Sequence, residues 1–236
     1  MPYRRLPKTD RARIKTLQII VDKSDAYSMY DFAISLKTSS EAKTFLEHFE
    51  ASQIYYKNCL KNQTSSSDKY QRIVKTARIY ISHFIQVLNL AVIRSEIKVN
   101  HKNLYGLSVE NNNIPDLTNE IGIIEWGAKI IKGEKERLRN GGIPIYNPTI
   151  AKVSVHYDIF RDAYENQKNL QVLTSRSLKV LADMRGEADR IILDAWNQIE
   201  KSFENYSSEE KMNKCREYGI IYYYRTGEYN PHLKEV

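Results

Sequence analysis

Apolar residues recur at alternating spacings of three and four along two long stretches of the chain, residues 40–97 and 147–206. In the second stretch these positions begin with Ile150, Val153, Tyr157, Phe160 and Tyr164. Such spacing is typical of a helix that buries one stripe of its surface against another helix. The pattern therefore predicts an all-α protein, an elongated antiparallel bundle built from two long helices or helical hairpins with shorter helices at the ends.

Each long stretch has a polar centre, which leaves two structures open. The chain could turn near Thr64–Ser67 and form a hairpin, or it could continue as one helix of roughly 85 Å. The centre of the second stretch contains Gln167, Gln171 and Thr174 and has no glycine. The lack of a glycine favours straight helices, whereas the usual length of helices favours hairpins. The balance leans slightly toward long helices.

Four sequence signals predict where helices begin. Asn147-Pro148 combines a capping side chain with a proline suited to the first helical position. The segments Thr38–Glu41 and Ser207–Glu210 match a capping box, in which the cap is followed by glutamate three residues later. Asp116 or Thr118 is the predicted cap of a central helix that continues to about Arg139.

The remaining segments predict shorter elements. A helix is expected over residues 11–22, capped by Thr9 or Asp10, and residues 24–37 alternate partly, as in a strand or an irregular packed segment. Residues 100–115 contain glycine, proline and three consecutive asparagines, which predicts a surface loop. Residues 220–225 are the best strand candidate. Pairing with the extended N-terminus would bring the chain ends together.

The domain prediction is a single helical bundle, residues 1–236. It has two candidate duplicated halves, 40–97 and 147–206, joined by 98–146. A shift of 108 aligns several seam positions, including His48 with His156. Two heptad patterns match by chance at some shift, so this alignment is suggestive only.

The compartment is predicted from cysteine use and from the N-terminus. Cys59 and Cys215 are far apart and form no Cys-x-x-Cys pattern, which fits free thiols in a reducing compartment. Charged side chains occur from Arg4 onward and leave no apolar segment long enough for a signal peptide, so none is expected. The most apolar window, residues 79–93, is interrupted by polar side chains, and we expect no membrane span. The predicted location is the cytoplasm.

Positive charge is concentrated at the N-terminus. Residues 1–15 carry six cationic side chains against one carboxylate, Asp10. The six residues of this basic arm are Arg4, Arg5, Lys8, Arg11, Arg13 and Lys15. Such an arm suits binding to nucleic acid or to an acidic partner. The simpler alternative is a solvated helix start that aids solubility.

Motifs for common chemistry are missing from the sequence, including the phosphate-binding glycine patterns and His-Glu-x-x-His. We therefore predict no cofactor, no metal and no catalytic residue. Trp126, with Glu125 and Arg137, is a candidate cleft for a small molecule, although Trp126 is also readily explained as a core anchor. His48 and His156 are close to carboxylates in the sequence and would form a site only if they converged.

Four segments, Tyr3–Pro7, Ala77–Phe84, Glu125–Gly127 and Asn147–Ala151, resemble a family of uncharacterised bacterial all-helical proteins. The resemblance implies an intracellular helical protein and no activity. Our leading functional prediction is a non-enzymatic scaffold that uses tyrosine-rich helical faces to bind a protein partner or itself, as a homodimer. The alternative is sequence-indifferent nucleic-acid binding through the basic arm. An enzyme or metal protein built on His48 and His156 is a third, weaker class.

Overall fold

The computed structural model describes residues 3–26 and 33–225, and in them the predicted all-α fold is confirmed. Six α-helices and one two-stranded sheet make up the regular structure of this part of the chain. The helices are α1 (Asp10–Ala26), α2 (Leu36–Ile93), α3 (Glu120–Arg139), α4 (Ile150–Asp183), α5 (Arg185–Ser202) and α6 (Ser208–Glu217). The strands are β1 (Tyr3–Arg4) and β2 (Tyr222–Tyr223), and Val99–Tyr105 form a 3-10 helix.

The first long stretch is one continuous helix, so the straight alternative is correct there. Its polar centre stays helical, and there the hydroxyls of Thr64 and Ser65 donate to carbonyls of the preceding turn. The second stretch is interrupted only at Met184, between α4 and α5. Backbone hydrogen bonds continue across this residue, from Met184 to Val180 and from Ala188 to Met184. Neither polar centre forms a hairpin.

Three predicted helix starts are displaced by one or more residues. The helix predicted to begin at Thr38 begins at Leu36, and the Ser35 hydroxyl accepts from the Thr38 amide. Thr38 is buried and donates to Asp194 instead. The central helix is capped by Asn119, whose side chain accepts from the Gly122 amide. Asp116 accepts from Thr118 in the preceding turn.

The start of α4 also differs from the prediction. The Asn147-Pro148 peptide bond is cis, and the helix begins two residues later at Ile150. Thr149 takes the capping role, because its hydroxyl accepts from the Lys152 amide at 3.4 Å. The capping box at Ser207 is confirmed in full, and Thr9 caps α1 through the Ala12 amide.

Two of the shorter predictions need correction. The expected surface loop at residues 100–115 begins as part of the 3-10 helix, in which Lys102 and Tyr105 are buried. Residues 24–26 extend α1 and residues 36–37 begin α2, while Tyr27, Tyr30 and Phe32 of the predicted strand-like segment lie outside the described residues. His83 lies in the most apolar window, residues 79–93, where a core position is expected, but the structure shows it exposed.

The chain divides into two compact units. Unit 1 comprises residues 1–59 and 174–236, and unit 2 comprises residues 60–173. Helices α2 and α4 each contribute residues to both units. By length and composition, α2 is also the one helix in the described ranges that could cross a membrane, with a window of mean hydropathy 1.3 of which 44% is buried.

In unit 1, helices α1, α2, α5 and α6 enclose one apolar core. Leu17, Phe49, Ile192 and Trp196 are almost fully buried there. Thr38 of α2 donates to Asp194 of α5, while Glu41, one turn later, pairs with Arg190, one turn earlier. Helices α2 and α5 therefore run antiparallel within this unit.

The predicted pairing between the N-terminal segment and the strand candidate at residues 220–225 is present in unit 1. Strands β1 and β2 pair antiparallel, with Tyr3 opposite Tyr223 and Arg4 opposite Tyr222. Gly219 closes α6 with a φ of 81°, a left-handed conformation that glycine adopts without strain. This turn directs the chain from α6 back along the N-terminal segment.

In unit 2, α3 packs closely against its neighbours because two of its positions are glycine. A Cβ on Gly127 would lie 2.3 Å from the ring of Tyr157, and one on Gly133 would lie 2.6 Å from the carbonyl oxygen of Leu104. The Tyr157 hydroxyl donates to the Ile124 carbonyl at 3.0 Å. Helix α3 is thereby held against α4 and the 3-10 helix.

A buried polar network joins α3 to the 3-10 helix and to the chain that follows α3. Arg137 donates to both carboxylate oxygens of Glu134, at 2.8 and 3.0 Å, and to the Tyr105 hydroxyl at 2.8 Å. It also donates to the Ile143 carbonyl. The i,i+3 spacing of Glu134 and Arg137 by itself indicates a weak surface ion pair worth about 0.2–0.5 kcal/mol. Burial makes loss of either partner far more costly.

We expect Glu134→Gln to destabilise the protein by about 3–5 kcal/mol, because the substitution leaves the buried Arg137 guanidinium without its counter-charge. Urea unfolding followed by circular dichroism measures the change. Glu136→Gln is the matched control, since Glu136 lies exposed on the same helix. Equal, small effects of both substitutions would contradict a structural role for the network.

The network also predicts loss of stability in alkaline solution. Burial, followed by the hydrogen bond to Glu134, raises the pKa of Tyr105 above its ordinary value of 10.0. The unfolded chain therefore loses this proton first, and the stability contributed below pH 10.0 declines as the pH rises further. Tyr105→Phe should flatten this decline in urea unfolding at pH values on either side of 10.0. An unchanged slope would contradict the assignment.

Candidate binding groove

A groove of about 630 Å³ lies in unit 1 beside the N-terminal part of α1. Its volume is within the range that holds a small molecule or a few residues of peptide. The groove lies where the two strands stop pairing: residues 5–9, which follow β1, and residues 219–221, which precede β2, both line it. Two main-chain segments that diverge from one short ladder thus form part of its wall.

The lining combines apolar surface with positive charge. Leu6, Ile19 and Ile220 are among its apolar side chains. Its cationic residues are Arg5, Lys8, Lys15 and Arg216. Among the lining residues in the described part of the chain there is no aspartate or glutamate. The field inside the groove therefore favours an anionic group that is attached to an apolar body.

Trp196 of α5 lines the groove and carries an unsatisfied donor. The side chain is 1% exposed, and its indole nitrogen Nε1 has no hydrogen-bond partner among the described residues. A buried donor without an acceptor costs about 1–3 kcal/mol. The site therefore has an N–H group for which an acceptor is energetically favourable.

The wall formed by β2 contributes no negative charge. The Tyr222 hydroxyl donates to Glu200 at 2.8 Å, and Arg4 donates to the other oxygen of the same carboxylate at 3.0 Å. Burial, with hydrogen bonds to Cys215 and Glu200, raises the pKa of Tyr222 well above its ordinary range. Burial likewise raises the pKa of the Cys215 thiol. Both side chains are therefore neutral at physiological pH.

The six residues of the basic arm have different surroundings. Arg13 is buried and donates to both carboxylate oxygens of Asp189, at 2.8 and 2.9 Å. Arg4 is paired with Glu200, as described above. Arg5 lies over the ring of Tyr223, with 5.8 Å from the guanidinium carbon to the ring centroid.

Exposed cations remain on α1 and just before it. Lys8 and Lys15 are exposed and line the groove. Arg11 is exposed on the same helix and is not part of the lining. The carbonyl of Lys8 accepts from Arg13 at 3.2 Å, so the buried arginine also holds the segment that carries Lys8.

A second ion pair supports the same helix contact. Arg185 donates to both oxygens of Asp10, at 2.8 and 2.9 Å, beside the Arg13–Asp189 pair. Together the two pairs join the first turn of α1 to α5. Sequence reasoning missed these contacts, because residues about 175 positions apart give no local signal.

The candidate cleft around Trp126 is not assembled from the three predicted residues. Glu125 is exposed, and Trp126 is half-buried with Lys129 4.4 Å from its ring centroid. Arg137 lies three turns further along α3, inside the buried network. A separate hollow of about 540 Å³ beside α3 and α4 is lined by charges of both signs, among them Lys135 and Asp158.

The two histidines with neighbouring carboxylates belong to different units. His48 is exposed in unit 1, near Glu41 and Glu187 in a shallow hollow. His156 stacks on Tyr80 in unit 2, with 4.0 Å between the ring centroids. Within residues 3–26 and 33–225, no three side chains of the metal-binding types lie together.

Comparison with protein-family models, curated proteins and solved structures found no match to this chain. The resemblance to bacterial helical proteins therefore stays a prediction. The groove residues were only partly visible in the sequence: the basic arm identified Arg5, Lys8 and Lys15, and the strand candidate identified residues 220–223. Trp196 is next to the apolar seam positions Ala195 and Ile199, which predicts a structural role, and the side chain is buried. Its unsatisfied N–H has no sequence signal.

We expect Arg13→Met to destabilise the protein by about 1–3 kcal/mol, because it removes the buried hydrogen bonds to Asp189 and to the Lys8 carbonyl. Arg11→Met, on the exposed face of α1, should change stability by less than about 0.5 kcal/mol. Thermal and urea unfolding of the two variants test this difference. Similar stabilities would mean that the basic arm is not divided into structural and exposed cations.

Proposed function

We propose that this protein is a non-enzymatic helical interaction protein of the cytoplasm that binds a protein partner through the basic groove of unit 1. The observation that carries the proposal is the composition of the lining, in which an apolar floor is accompanied by cations and by no carboxylate. Apolar contact supplies affinity, and charge complementarity supplies orientation and partner choice. A second copy of the chain is one candidate partner.

Sequence-indifferent nucleic-acid binding is the second candidate. Arg5, Lys8, Arg11 and Lys15 support it, because all four side chains are exposed. Proteins that bind single strands combine a cationic track along the phosphates with aromatic rings on which bases stack. Two of the six arm residues, Arg4 and Arg13, are instead paired with carboxylates of α5. The apolar groove floor also fits a protein segment better than a phosphate backbone.

The double variant Lys8→Glu/Lys15→Glu tests the proposed function, with Arg11→Glu as the matched control on the same helix. Tagged wild-type and variant proteins are used to capture partners, and bound proteins are quantified by mass spectrometry. We expect the double variant to capture at least about tenfold less of the specific partner than the wild-type protein does. The control variant should capture as much as the wild type. Equal retention by both variants would contradict the groove as the binding surface.

A parallel titration addresses nucleic acid. Labelled single-stranded and duplex DNA and RNA are titrated with each protein at several salt concentrations, and binding is followed by fluorescence anisotropy. Affinity that falls steeply with salt and is weakened by Arg11→Glu as well as by the double variant would favour the second candidate. The proposed function predicts weak binding that does not distinguish single from double strands.

A further inference from the structure

We infer that the groove is built for a short extended peptide segment in which carboxylates alternate with apolar side chains. This inference rests on the proposed function and specifies the chemistry of its partner. Three independent features of the groove lead to it: the placement of the cations, the apolar floor and the end of the strand ladder.

Trp196 provides a reporter for binding in the groove. Its side chain lines the groove and is 1% exposed, and its indole nitrogen is covered and has no acceptor among the described residues. A ligand that occupies the groove therefore changes the surroundings of this indole ring.

The cations are attached to separate parts of the wall. Arg5 and Lys8 belong to the segment between β1 and α1. Lys15 belongs to the N-terminal half of α1, and Arg216 belongs to the end of α6. Arg216 donates to the Asn213 side chain at 2.9 Å and to the Tyr224 hydroxyl at 3.4 Å. Cations on three elements are suited to several carboxylates spread along a chain.

The main chain around the groove favours an extended backbone. The ladder between β1 and β2 ends at Arg4 and Tyr222, and the two segments that leave it both line the groove. An extended peptide can add main-chain hydrogen bonds to such segments while its side chains point alternately to the floor and to the rim. Alternate apolar residues would then contact the floor beside Leu6 and Ile220, and the carboxylates would face the cations.

The test uses Trp196 fluorescence in the full-length chain. The Trp126→Phe substitution is placed in every protein, so that Trp196 is the one tryptophan left of the two in the sequence. An acetylated, amidated peptide of alternating leucine and glutamate is titrated at low salt, with a matched leucine–glutamine peptide as control. Peptide bound in the groove should shift the emission of Trp196, and Lys8→Glu/Lys15→Glu should weaken binding at least about tenfold. Arg11→Glu should not.

Three further outcomes decide the inference. Equal affinity for the glutamine peptide would overturn it, because the cations would then have no role. Saturable emission shifts with dodecanoate or with single-stranded oligonucleotide, and none with the glutamate peptide, would assign the groove to a fatty acid or to nucleic acid. No response to any probe would also overturn it. In that last case, continued loss of the captured partner in the double variant would show that the groove still serves the proposed function.

Circular dichroism and urea unfolding accompany each titration, because charge reversal could disturb α1. Where the double variant proves unfolded, Lys8→Gln/Lys15→Gln takes its place, since neutral side chains remove the attraction without adding repulsion. An unchanged peptide affinity in this folded variant would count against the inference as directly as in the charge-reversed one.

Discussion

The attachment of α1 to α5 is the constraint on which the groove depends. Two arginine–carboxylate pairs, Arg13 with Asp189 and Arg185 with Asp10, each make two hydrogen bonds in fork geometry. Arg13 also holds the carbonyl of Lys8. Because both pairs lie within the first turns of α1, they determine where the preceding segment runs. That segment then reaches β2 and forms one wall of the groove.

Arginine–carboxylate pairs join helices in both units. In unit 1, two partly exposed pairs join a short N-terminal helix to a later helix. In unit 2, Arg137 and Glu134 join α3 to Tyr105 of the 3-10 helix and to the chain beyond α3. Paired buried charges of this kind add little net stability compared with apolar packing. They do penalise any arrangement that would leave one partner unpaired. We infer that these pairs select the arrangement of helices that the apolar stripes alone would leave ambiguous.

The basic arm contains both paired and exposed cations, so its net charge does not indicate which of them can contact a partner. Charge counts treat Arg4, Arg13 and Lys8 alike, whereas the structure pairs the first two with Glu200 and Asp189 and leaves Lys8 in the groove lining. Only the exposed cations of the arm are therefore available to attract an anionic partner. Those cations surround an apolar floor, and this combination leads to a protein partner rather than to phosphates as the proposed ligand.

The sequence by itself determined the helical class and the capping box at Ser207, and it indicated strands near the two ends of the chain. Each of these depends on spacing or on chemistry within a few residues, which a single chain displays directly. The sequence only slightly favoured a continuous α2 over a hairpin, and the structure decided between them. The helix caps Ser35, Asn119 and Thr149 were predicted a few residues away from their true positions, because several nearby polar side chains can serve as caps. Only the tertiary structure decided which cations are buried, that Trp196 lacks an acceptor and where the groove lies. These features depend on contacts between residues far apart in the sequence, such as Arg4 and Glu200, which are 196 positions apart. No local pattern in the sequence indicates such contacts.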